Sequence, residues 1–429
     1  MRFERHWSSA PLSWTIAALA LTTAGCIPSA AQTESVLYGF QGGSDGAQPV
    51  AGLIADKAGN LYGTTAFGGA ADSGTVYELT NVAGSWTDTV LYTFQGGTDG
   101  AYPYSTLVSD ESGNLYGTTL AGGTGCSICG TVFKLTNRRG TWTETLLHSF
   151  GGLDGENPYG SLLRDSAGNL YGTTYSGGTS FAGTVYELTA QDDKHKAPWP
   201  ETVLYSFTGE ADGGLPLSDL VRDQSGRLYG TTTGGGSDGF GVVFQLTPPR
   251  FRSAPWTETA IYSFTGGSDG AEPYDGVVFD RHGSLVGAAA LGGDPSCSGG
   301  GCGTVYQLTP PPTPHGTWSE NTLYAFTGGL DGAQPLAKPI LDAKGNVFGT
   351  TSFDGTAYPC YPYCGTVFEL APPTASTPMW TETTLYGFAG GSDGSSPEAS
   401  LLLGKLGVLY GTTTSGGDQG EGTVFEIVP

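Results

Sequence analysis

The sequence predicts an all-β protein, a seven-bladed β-propeller of four-stranded antiparallel blades. Three observations carry this prediction: one unit recurs seven times, each unit contains four short strand patterns, and helical periodicity is nearly absent after the N-terminus. The repeat can be followed through one Asp in a glycine-rich turn, at Asp45, Asp99, Asp154, Asp212, Asp269, Asp331 and Asp393. Successive members lie between 54 residues apart (Asp45 to Asp99) and 62 residues apart (Asp331 to Asp393). Such periods are typical of propellers, solenoids or arrays, whose units share their cores with neighbours.

The four strand patterns follow one another in a fixed order, illustrated by the third unit. Residues 142–150 alternate polar and apolar residues (the outer strand), and residues 158–165 follow a proline (the inner strand). Residues 169–174 form the Tyr-Gly strand, and residues 184–188 form the Gly-Thr-Val strand. An Asp-x-x-Gly turn joins the inner strand to the Tyr-Gly strand, so we interpret its Asp as a turn former.

The order of the patterns also predicts how the ring closes. The repeats begin with a lone outer strand at residues 35–40 and end on a Gly-Thr-Val strand at residues 423–427. The first outer strand then completes the blade formed by the last repeat, and this exchange leaves only short edges unpaired. Nothing interrupts the period, so residues 33–429 are predicted to form a single domain, whereas a solenoid would need shorter coils.

The composition restricts the classes of partner. Acidic residues outnumber basic ones by 40 to 17, and the formal net charge is −23. Nucleic acids and anionic membranes both bind clusters of Lys and Arg, so neither is expected as a partner. The charge favours solubility, cations or neutral ligands.

Residues 1–32 resemble a targeting segment that is excluded from the fold. Arg2 and Arg5 precede an apolar run at residues 14–21, which is too short to span a bilayer. Residues 23–26 resemble a bacterial lipobox ending at Cys26, although Thr23 stands where Leu is usual, and cleavage after Ala31 is the alternative. We favour lipidation at Cys26. Either route predicts an exported protein, periplasmic or on the outer surface, that contacts membrane only through a lipid anchor.

Six cysteines fall in three short pairs, each just before a Gly-Thr-Val strand. They are Cys126 and Cys129, Cys297 and Cys302, and Cys360 and Cys364. In an exported protein these pairs predict local disulfides. The alternative for the C-x-x-C pair is zinc, which would need a second pair nearby, and only the pairs of repeats five and six are neighbours. A redox role lacks the usual helix after the motif.

The recurring "GNLYGTT…GG…GTVFEL" pattern resembles the GloVer (Gloeo/Verruco) tandem repeat of exported bacterial choice-of-anchor proteins. The resemblance covers residues 35–429. It implies tandem repeats displayed outside the cytoplasm with variable anchoring and without an established enzymatic activity, and it supplies no catalytic residues. A looser similarity to kelch-type blades rests on the Gly-Gly pair after the Tyr-Gly strand.

Strand order places the Asp-containing turns and the loops before the Gly-Thr-Val strands on one face, where variable loops favour binding. The first candidate site there is the ring of seven turn aspartates from Asp45 to Asp393. If their carboxylates point inward, they could hold Ca²⁺. If each folds onto its own turn, as Asp-Gly dipeptides indicate, they are structural, and we favour this alternative. No cofactor or metal is otherwise expected.

The second candidate site is formed by residues that flank the inner-strand prolines, which should face the central channel. Before the proline they are Gln48, Tyr102, Asn157, Leu215, Glu272, Gln334 and Ser396. After it they are Val50, Tyr104, Tyr159, Leu217, Tyr274, Leu336 and Glu398. Tyr102, Tyr104, Asn157, Tyr159, Glu272, Tyr274 and Gln334 combine aromatic faces with amide and carboxylate groups, as sugar-binding sites often do. Channel packing and wetting are the alternative.

No catalytic motif stands out, because the histidines occupy unrelated positions and no Gly-x-Ser-x-Gly, His-Glu-x-x-His or phosphate-binding loop occurs. We therefore expect a monomeric, non-catalytic binding module for an extracellular glycan or an envelope protein. The first alternative is a polysaccharide lyase or glycoside hydrolase that uses two carboxylates on the loop-rich face. The second is a structural surface protein without a small ligand.

Overall fold

The computed structural model describes residues 32–191, 198–251, 254–297, 300–313, 316–355 and 364–428. These residues form seven four-stranded antiparallel sheets arranged in a ring. The predicted seven-bladed β-propeller is therefore confirmed. In the described part of the chain, no helix has the length and apolar character needed to cross a membrane.

From the axis outwards, each blade has an inner, a Tyr-Gly, a Gly-Thr-Val and an outer strand. The inner strands are β2 (Ile54–Ala55), β6 (Val108–Ser109), β10 (Leu163–Arg164), β14 (Val221–Arg222), β18 (Val278–Phe279), β22 (Ile340–Leu341) and β26 (Leu402–Leu403). The Tyr-Gly strands are β3 (Leu61–Thr65), β7 (Leu115–Thr119), β11 (Leu170–Thr174), β15 (Leu228–Thr232), β19 (Leu285–Ala289), β23 (Val347–Thr351) and β27 (Leu409–Thr413).

The remaining elements are the two outermost strands of each blade and three short 3-10 turns. The Gly-Thr-Val strands are β4 (Thr75–Val82), β8 (Thr131–Arg138), β12 (Thr184–Leu188), β16 (Val242–Thr247), β20 (Thr304–Thr309), β24 (Thr366–Ala371) and β28 (Thr423–Val428). The outer strands are β1 (Thr33–Gly39), β5 (Ser85–Thr93), β9 (Thr141–Ser149), β13 (Glu201–Ser206), β17 (Thr257–Ser263), β21 (Ser319–Ala325) and β25 (Thr381–Gly387). The 3-10 turns are Gly43–Asp45, Gly97–Asp99 and Lys405–Gly407.

The strand β1 closes the ring. It pairs antiparallel with β28, from Thr33 opposite Val428 to Gly39 opposite Thr423. The same sheet contains β27 and β26, so β1 completes blade 7, as predicted. Blades 1 to 6 each contain four consecutive strands, beginning with β2 to β5. The exchange ties the two ends of the domain together by a backbone ladder.

The inner strands are shorter than the sequence pattern indicates. In blade 3 the prediction spans residues 158–165, whereas only Leu163 and Arg164 pair with the Tyr-Gly strand. Pro158 has no amide hydrogen to donate, and the preceding Asn157 has a positive φ of 56°. The residues that follow the proline therefore run near the axis for several positions before the chain pairs with the Tyr-Gly strand.

Seven edge-to-face aromatic pairs fill the contacts between neighbouring blades. Each joins a buried Phe that follows an outer strand to a buried ring on the Gly-Thr-Val strand of the next blade. The pairs are Phe40–Tyr77, Phe94–Phe133, Phe150–Tyr186, Phe207–Phe244, Phe264–Tyr306, Phe326–Phe368 and Phe388–Phe425. Their ring centroids are 5.0 to 5.1 Å apart, and each such pair stabilises a core by about 1 kcal/mol beyond its buried area. The core therefore lies between blades.

The Gly that opens each Gly-Thr-Val strand lies close to the inner-strand proline of the next blade. Gly74, which opens a Gly-Thr-Val strand, has a φ of +95°, and a Cβ there would lie 2.5 Å from Pro103 Cδ of the next blade. The same contact joins Gly422 of the last repeat to Pro49 of the first. Only glycine combines this backbone conformation with so close an approach.

The paired threonines of the Tyr-Gly strands hold the ring by hydrogen bonds. Thr173 Oγ1 donates to the backbone oxygen of Ser218 in the next blade (2.8 Å), while Thr174 pairs with Thr184 of its own blade (2.8 Å). Blade 5 has Ala288 and Ala289 at these positions and lacks both bonds.

Candidate functional site

The connections between strands separate into two faces. The glycine-rich turns bridge to the loops between the Tyr-Gly and Gly-Thr-Val strands, as Ala47 does to Phe67 and Glu156 to Ser176. We call this side the loop face. The Asp-x-x-Gly turns and the connections to the outer strands lie at the other ends of the strands, on the hairpin face.

The seven turn aspartates are held within their own turns near the outer strands. Asp45 Oδ2 accepts hydrogen bonds from the Tyr38 hydroxyl (2.9 Å) and the Gln41 amide (2.9 Å). The outer-strand tyrosines bond Asp99, Asp212, Asp269, Asp331 and Asp393 in the same way. In blade 3, His148 Nε2 lies 2.9 Å from Asp154. The carboxylates are spread around the rim, in the geometry that a turn-forming role requires.

A second set of acids, which the sequence interpretation missed, faces these turns from the next blade. The set is Glu34, Asp88, Glu144, Glu201, Glu258, Glu320 and Glu382, one on each outer strand. One carboxylate oxygen of Glu258 is buried without a hydrogen-bond partner. Burial, with the charge of Asp212, raises the pKa of Glu258 to about 8. The Trp-x-acid pattern that recurs in the outer strands could have revealed these acids in the sequence.

Two of the predicted disulfides are present, Cys126–Cys129 and Cys297–Cys302. Cys364 is disulfide-bonded as well, and its predicted partner Cys360 lies outside the described residues. Cys126 and Cys129 lie close to Glu156, but their sulfurs are bonded to each other and are not thiolate ligands for a metal.

The residues before the prolines adopt positive φ and are used largely for blade contacts. The Tyr102 ring packs against Phe67, with centroids 5.2 Å apart. The side-chain Nδ2 of Asn157 donates to the carbonyl oxygens of Leu120 (3.1 Å) and Ile128 (2.7 Å). The backbone N–H groups of Glu272 and Gln334 donate hydrogen bonds to carbonyl oxygens of the preceding blade. Of the predicted ligand-binding residues, Asn157 therefore has its side chain committed to a loop.

The residues after the prolines come together around the axis at the loop face, at what we call the channel mouth. Tyr104 and Tyr159, from neighbouring blades, have ring centroids 5.0 Å apart. Burial, followed by the charges of Tyr104, Glu398 and Tyr274, raises the pKa of Tyr159. Burial and then the charge of Glu272 raise the pKa of Tyr274, which places Glu272 beside the mouth.

The tyrosine hydroxyls of the mouth differ from the paired ones of the blades, and also from those of Tyr77, Tyr186 and Tyr306, which lack a partner in the described part of the chain but are buried. Tyr205 donates to Asp212 (2.9 Å) and Tyr116 to Asp110 (3.0 Å). Among the described residues, the hydroxyls of Tyr104, Tyr159 and Tyr274 have no hydrogen-bond partner, and they are accessible to solvent. These three groups are therefore available to a ligand.

Glu398 completes the mouth and was not singled out by the sequence interpretation. Its carboxylate has no hydrogen-bond or ion-pair partner among the described residues, and burial raises its pKa. The charge of Glu398 also raises the pKa of Tyr104, after the larger effect of burial. The mouth thus combines three aromatic rings with one desolvated carboxyl group.

Three charged residues lie deeper in the channel, where no site was predicted. Lys338 Nζ forms an ion pair with Asp219, and the Lys338 amide donates to Asp275 (3.0 Å). Burial alone would raise the pKa of Asp219, but the Lys338 charge and hydrogen bond outweigh it, so the pKa is lowered. Burial and the Asp219 charge raise the pKa of Asp275. The sequence does show that Asp219 and Lys338 replace the Gly, Ser or Thr of other repeats, and that Asp275 replaces Ala, Ser or Gly one position earlier.

This charged group belongs to a chain of hydrogen bonds that runs from blade to blade around the axis. The Gly52 amide donates to Thr106 Oγ1 (3.0 Å), the Thr106 amide to Ser161 Oγ (3.0 Å), and the Ser161 amide to Asp219 (2.6 Å). The Asp219 amide continues the chain to Asp275 (3.3 Å). The polar residues below the mouth are therefore used to join the inner strands.

A groove of about 1210 Å³ lies on the hairpin face between blades 4 and 5. It is lined by Arg222, Arg227 and Trp318, among others. Arg222 is paired with Asp165 (3.3 Å) and Arg227 with Asp223 (2.6 Å). Because these charges are already compensated, we consider the groove the weaker candidate, despite its volume.

The seven blades and their repeated strand motifs match the family of the Gloeobacter/Verrucomicrobia repeat over residues 25–198, 196–358 and 295–429. The chain belongs to this family. The predicted GloVer resemblance is confirmed. None of the curated proteins matches the sequence of this Gloeobacter/Verrucomicrobia repeat protein.

Several solved structures are similar to this chain at low sequence identity. A candidate 6-phosphogluconolactonase from Bacteroides uniformis is 16% identical, with a TM-score of 0.50 over 82% of this chain and 88% of its own. A candidate glucose dehydrogenase from Thermus thermophilus is 14% identical, with a TM-score of 0.45 over 78% and 99%. A Trichoderma reesei member of a carbohydrate-active enzyme family is 11% identical, with a TM-score of 0.43 over 93% and 96%. At such low identity, the first similarity shows the fold alone, and no function is inferred from any of the three.

Proposed function

We propose that this protein is a non-catalytic binding module that holds a glycan at its channel mouth. The observation that carries the proposal is the set of unused groups there: within the described part of the chain, the hydroxyls of Tyr104, Tyr159 and Tyr274 and the carboxylate of Glu398 lack partners. The outer-strand tyrosines bond carboxylates instead, as in the Tyr205–Asp212 pair, and the unpaired hydroxyls of Tyr77, Tyr186 and Tyr306 are buried between the blades. Unpaired polar groups that solvent can reach in a concave aromatic site are suited to a ligand.

The chemistry of the mouth suits a sugar. Tyrosine rings present apolar faces on which pyranose C–H groups can pack, while their hydroxyls hydrogen-bond sugar hydroxyls. Tyr274 is 37% exposed, so a ligand can reach the mouth from the loop face. Polar groups on a rigid aromatic platform fix the orientation of a ligand without doing chemistry on it.

We infer that the domain works outside the cytoplasm. The disulfides Cys126–Cys129 and Cys297–Cys302 support this location, because such bonds persist in oxidising compartments. Lipidation at Cys26 and cleavage after Ala31 concern residues outside the described part.

The proposal is tested by affinity electrophoresis of residues 32–429 through soluble polysaccharides, with each polymer then examined for shortening. We expect at least one polymer to retard the protein without being shortened. The Tyr159→Ala and Tyr274→Ala variants should lose this retardation, because they remove the aromatic platform.

Arg281→Ala is the matched control, since Arg281 is an exposed residue of the hairpin-face groove. It should migrate like the original protein in every gel. Shortening of a polymer would instead support a lyase or hydrolase acting through Glu398 and Glu272. Retardation lost only in Arg281→Ala would transfer the site to the groove, and no retardation by any polymer would favour the structural role.

A further inference from the structure

We propose that the glycan held at the mouth carries an ammonium group, which binds beside the tyrosine rings and against Glu398. This inference rests on the proposed function and adds the chemical class of the ligand: an amino sugar with a free amine. Three observations support it, namely the arrangement of the mouth, the charge of the loop face and the pairing of the residues below.

The mouth has the composition of a site for organic cations. A cation near an aromatic face is attracted by the ring quadrupole, and the attraction grows when the site is desolvated. Tyr104 and Tyr159 are in ring contact, with centroids 5.0 Å apart. Glu398 influences Tyr104, Tyr159 and Tyr274 electrostatically, so its carboxylate lies near all three rings. An ammonium group placed there would gain both interactions at once.

No lysine or arginine that the structure describes forms an ion pair with Glu398. A partly buried carboxyl group without a partner is costly to keep ionised. The one lysine in the channel, Lys338, is already engaged by Asp219 and Asp275, and no ion pair joins it to Glu398. A ligand ammonium would supply the missing partner, whereas a neutral acetamide would leave the carboxylate uncompensated.

The charge of the loop face also favours a cationic ligand. In the turns and loops that form it, the charged residues are acidic, apart from Lys338 inside the channel. Described lysines and arginines otherwise lie towards the hairpin face, as Arg227 and Lys344 do in its turns. Clefts lined by one sign of charge raise the local concentration of ligands of opposite charge. Polyanionic glycans are disfavoured for the same reason.

The experiment compares two ligands that differ only in the amine. Calorimetric titrations at pH 6 and low salt would use the β-1,4-linked glucosamine hexamer and its fully N-acetylated form. We expect the amine hexamer to bind at least tenfold more tightly, with the preference weakening as salt is added. Glu398→Gln should abolish the preference while the melting temperature stays within a few degrees of the original.

Two further variants separate charge and aromaticity from general effects. Glu210→Gln removes the same charge from an exposed position on the loop face and should keep the preference. Tyr159→Phe should keep it, because the aromatic face remains, while Tyr159→Leu should lose it.

Each outcome decides between the proposals. Equal affinity for the two hexamers, or a preference that survives Glu398→Gln, would overturn the ammonium inference and leave the binding proposal standing. Binding of neutral glucans but of neither hexamer would do the same. Absence of binding to every glycan would overturn both.

Discussion

At the level of single residues, the repeat uses most of its polar side chains to hold itself together. The turn aspartates, the outer-strand tyrosines and most of the paired threonines find partners within a blade or in the next one, as Asp45 does with Tyr38 and Thr173 with Ser218. The residues that depart from the repeat collect along the axis: the mouth tyrosines, Glu398 and the group around Lys338. Function is therefore expected where individual units differ, on a scaffold where they agree.

The ion pair below the mouth gives a prediction about stability. Replacing Lys338 by Met would leave Asp219 and Asp275 in the channel without a cation, and because the pair is only partly buried we expect a loss of up to about 3 kcal/mol. Urea denaturation should show this loss as a lower midpoint. Lys344→Met, in an exposed hairpin turn, is the matched control and should change the midpoint little. Equal midpoints for both variants would show that the channel charges contribute little to folding.

At the level of strands and blades, the sequence supports much of the architecture and less of the site. The alternating outer strands and the Tyr-Gly and Gly-Thr-Val patterns were predictable because each depends on local periodicity. The inner strands were predicted too long, since the positive φ before each proline, 56° at Asn157, has no local signal. The contact between Gly74 and Pro103 could not be predicted from the sequence either, because it joins successive blades.

Part of the candidate site could also be predicted, because it depends on a local position of the repeat. Tyr104, Tyr159 and Tyr274 could be proposed because they vary at a fixed position of the repeat. That Glu398 lacks a partner, and that Lys338 reaches Asp219 across 119 positions of sequence, depend on contacts that appear only when the ring is closed.

The junctions between blades predict an unusual dependence of stability on pH. Burial, together with the turn aspartate of the preceding blade, raises the pKa of Glu144 to about 7 and of Glu258 to about 8. In the unfolded chain these groups titrate near 4.5. Between about pH 4.5 and 8 the folded state therefore holds protons that the unfolded state has released, and stability falls as pH rises. Groups with lowered pKa, such as Asp269, act below this window.

Thermal unfolding monitored by circular dichroism should show a higher melting temperature at pH 5.5 than at pH 9. Glu258→Gln removes one such carboxyl group, so its melting temperature should vary less over the same interval. A melting temperature that rises from pH 5.5 to pH 9, or the same slope in the variant, would contradict the role assigned to these junctions.

At the level of the whole molecule, ring closure by β1 makes the two ends of the domain interdependent. A chain that begins at Phe40 lacks Thr33–Gly39 and leaves β28 with an unpaired edge. We expect it to lose cooperative unfolding and to aggregate, whereas a chain that begins at Gln32 should melt in one transition. Calorimetry with gel filtration measures both properties. Retention of a single transition at the original temperature by the shorter chain would show that the latch is dispensable.

The ring also determines where binding can be observed directly. A crystal structure of residues 32–429 with the glucosamine hexamer would locate the ligand. We predict density at the loop-face mouth, with a sugar packed on Tyr159 and its amine against Glu398. Density confined to the hairpin-face groove beside Arg227 and Trp318, with an empty mouth, would contradict this assignment of the binding site.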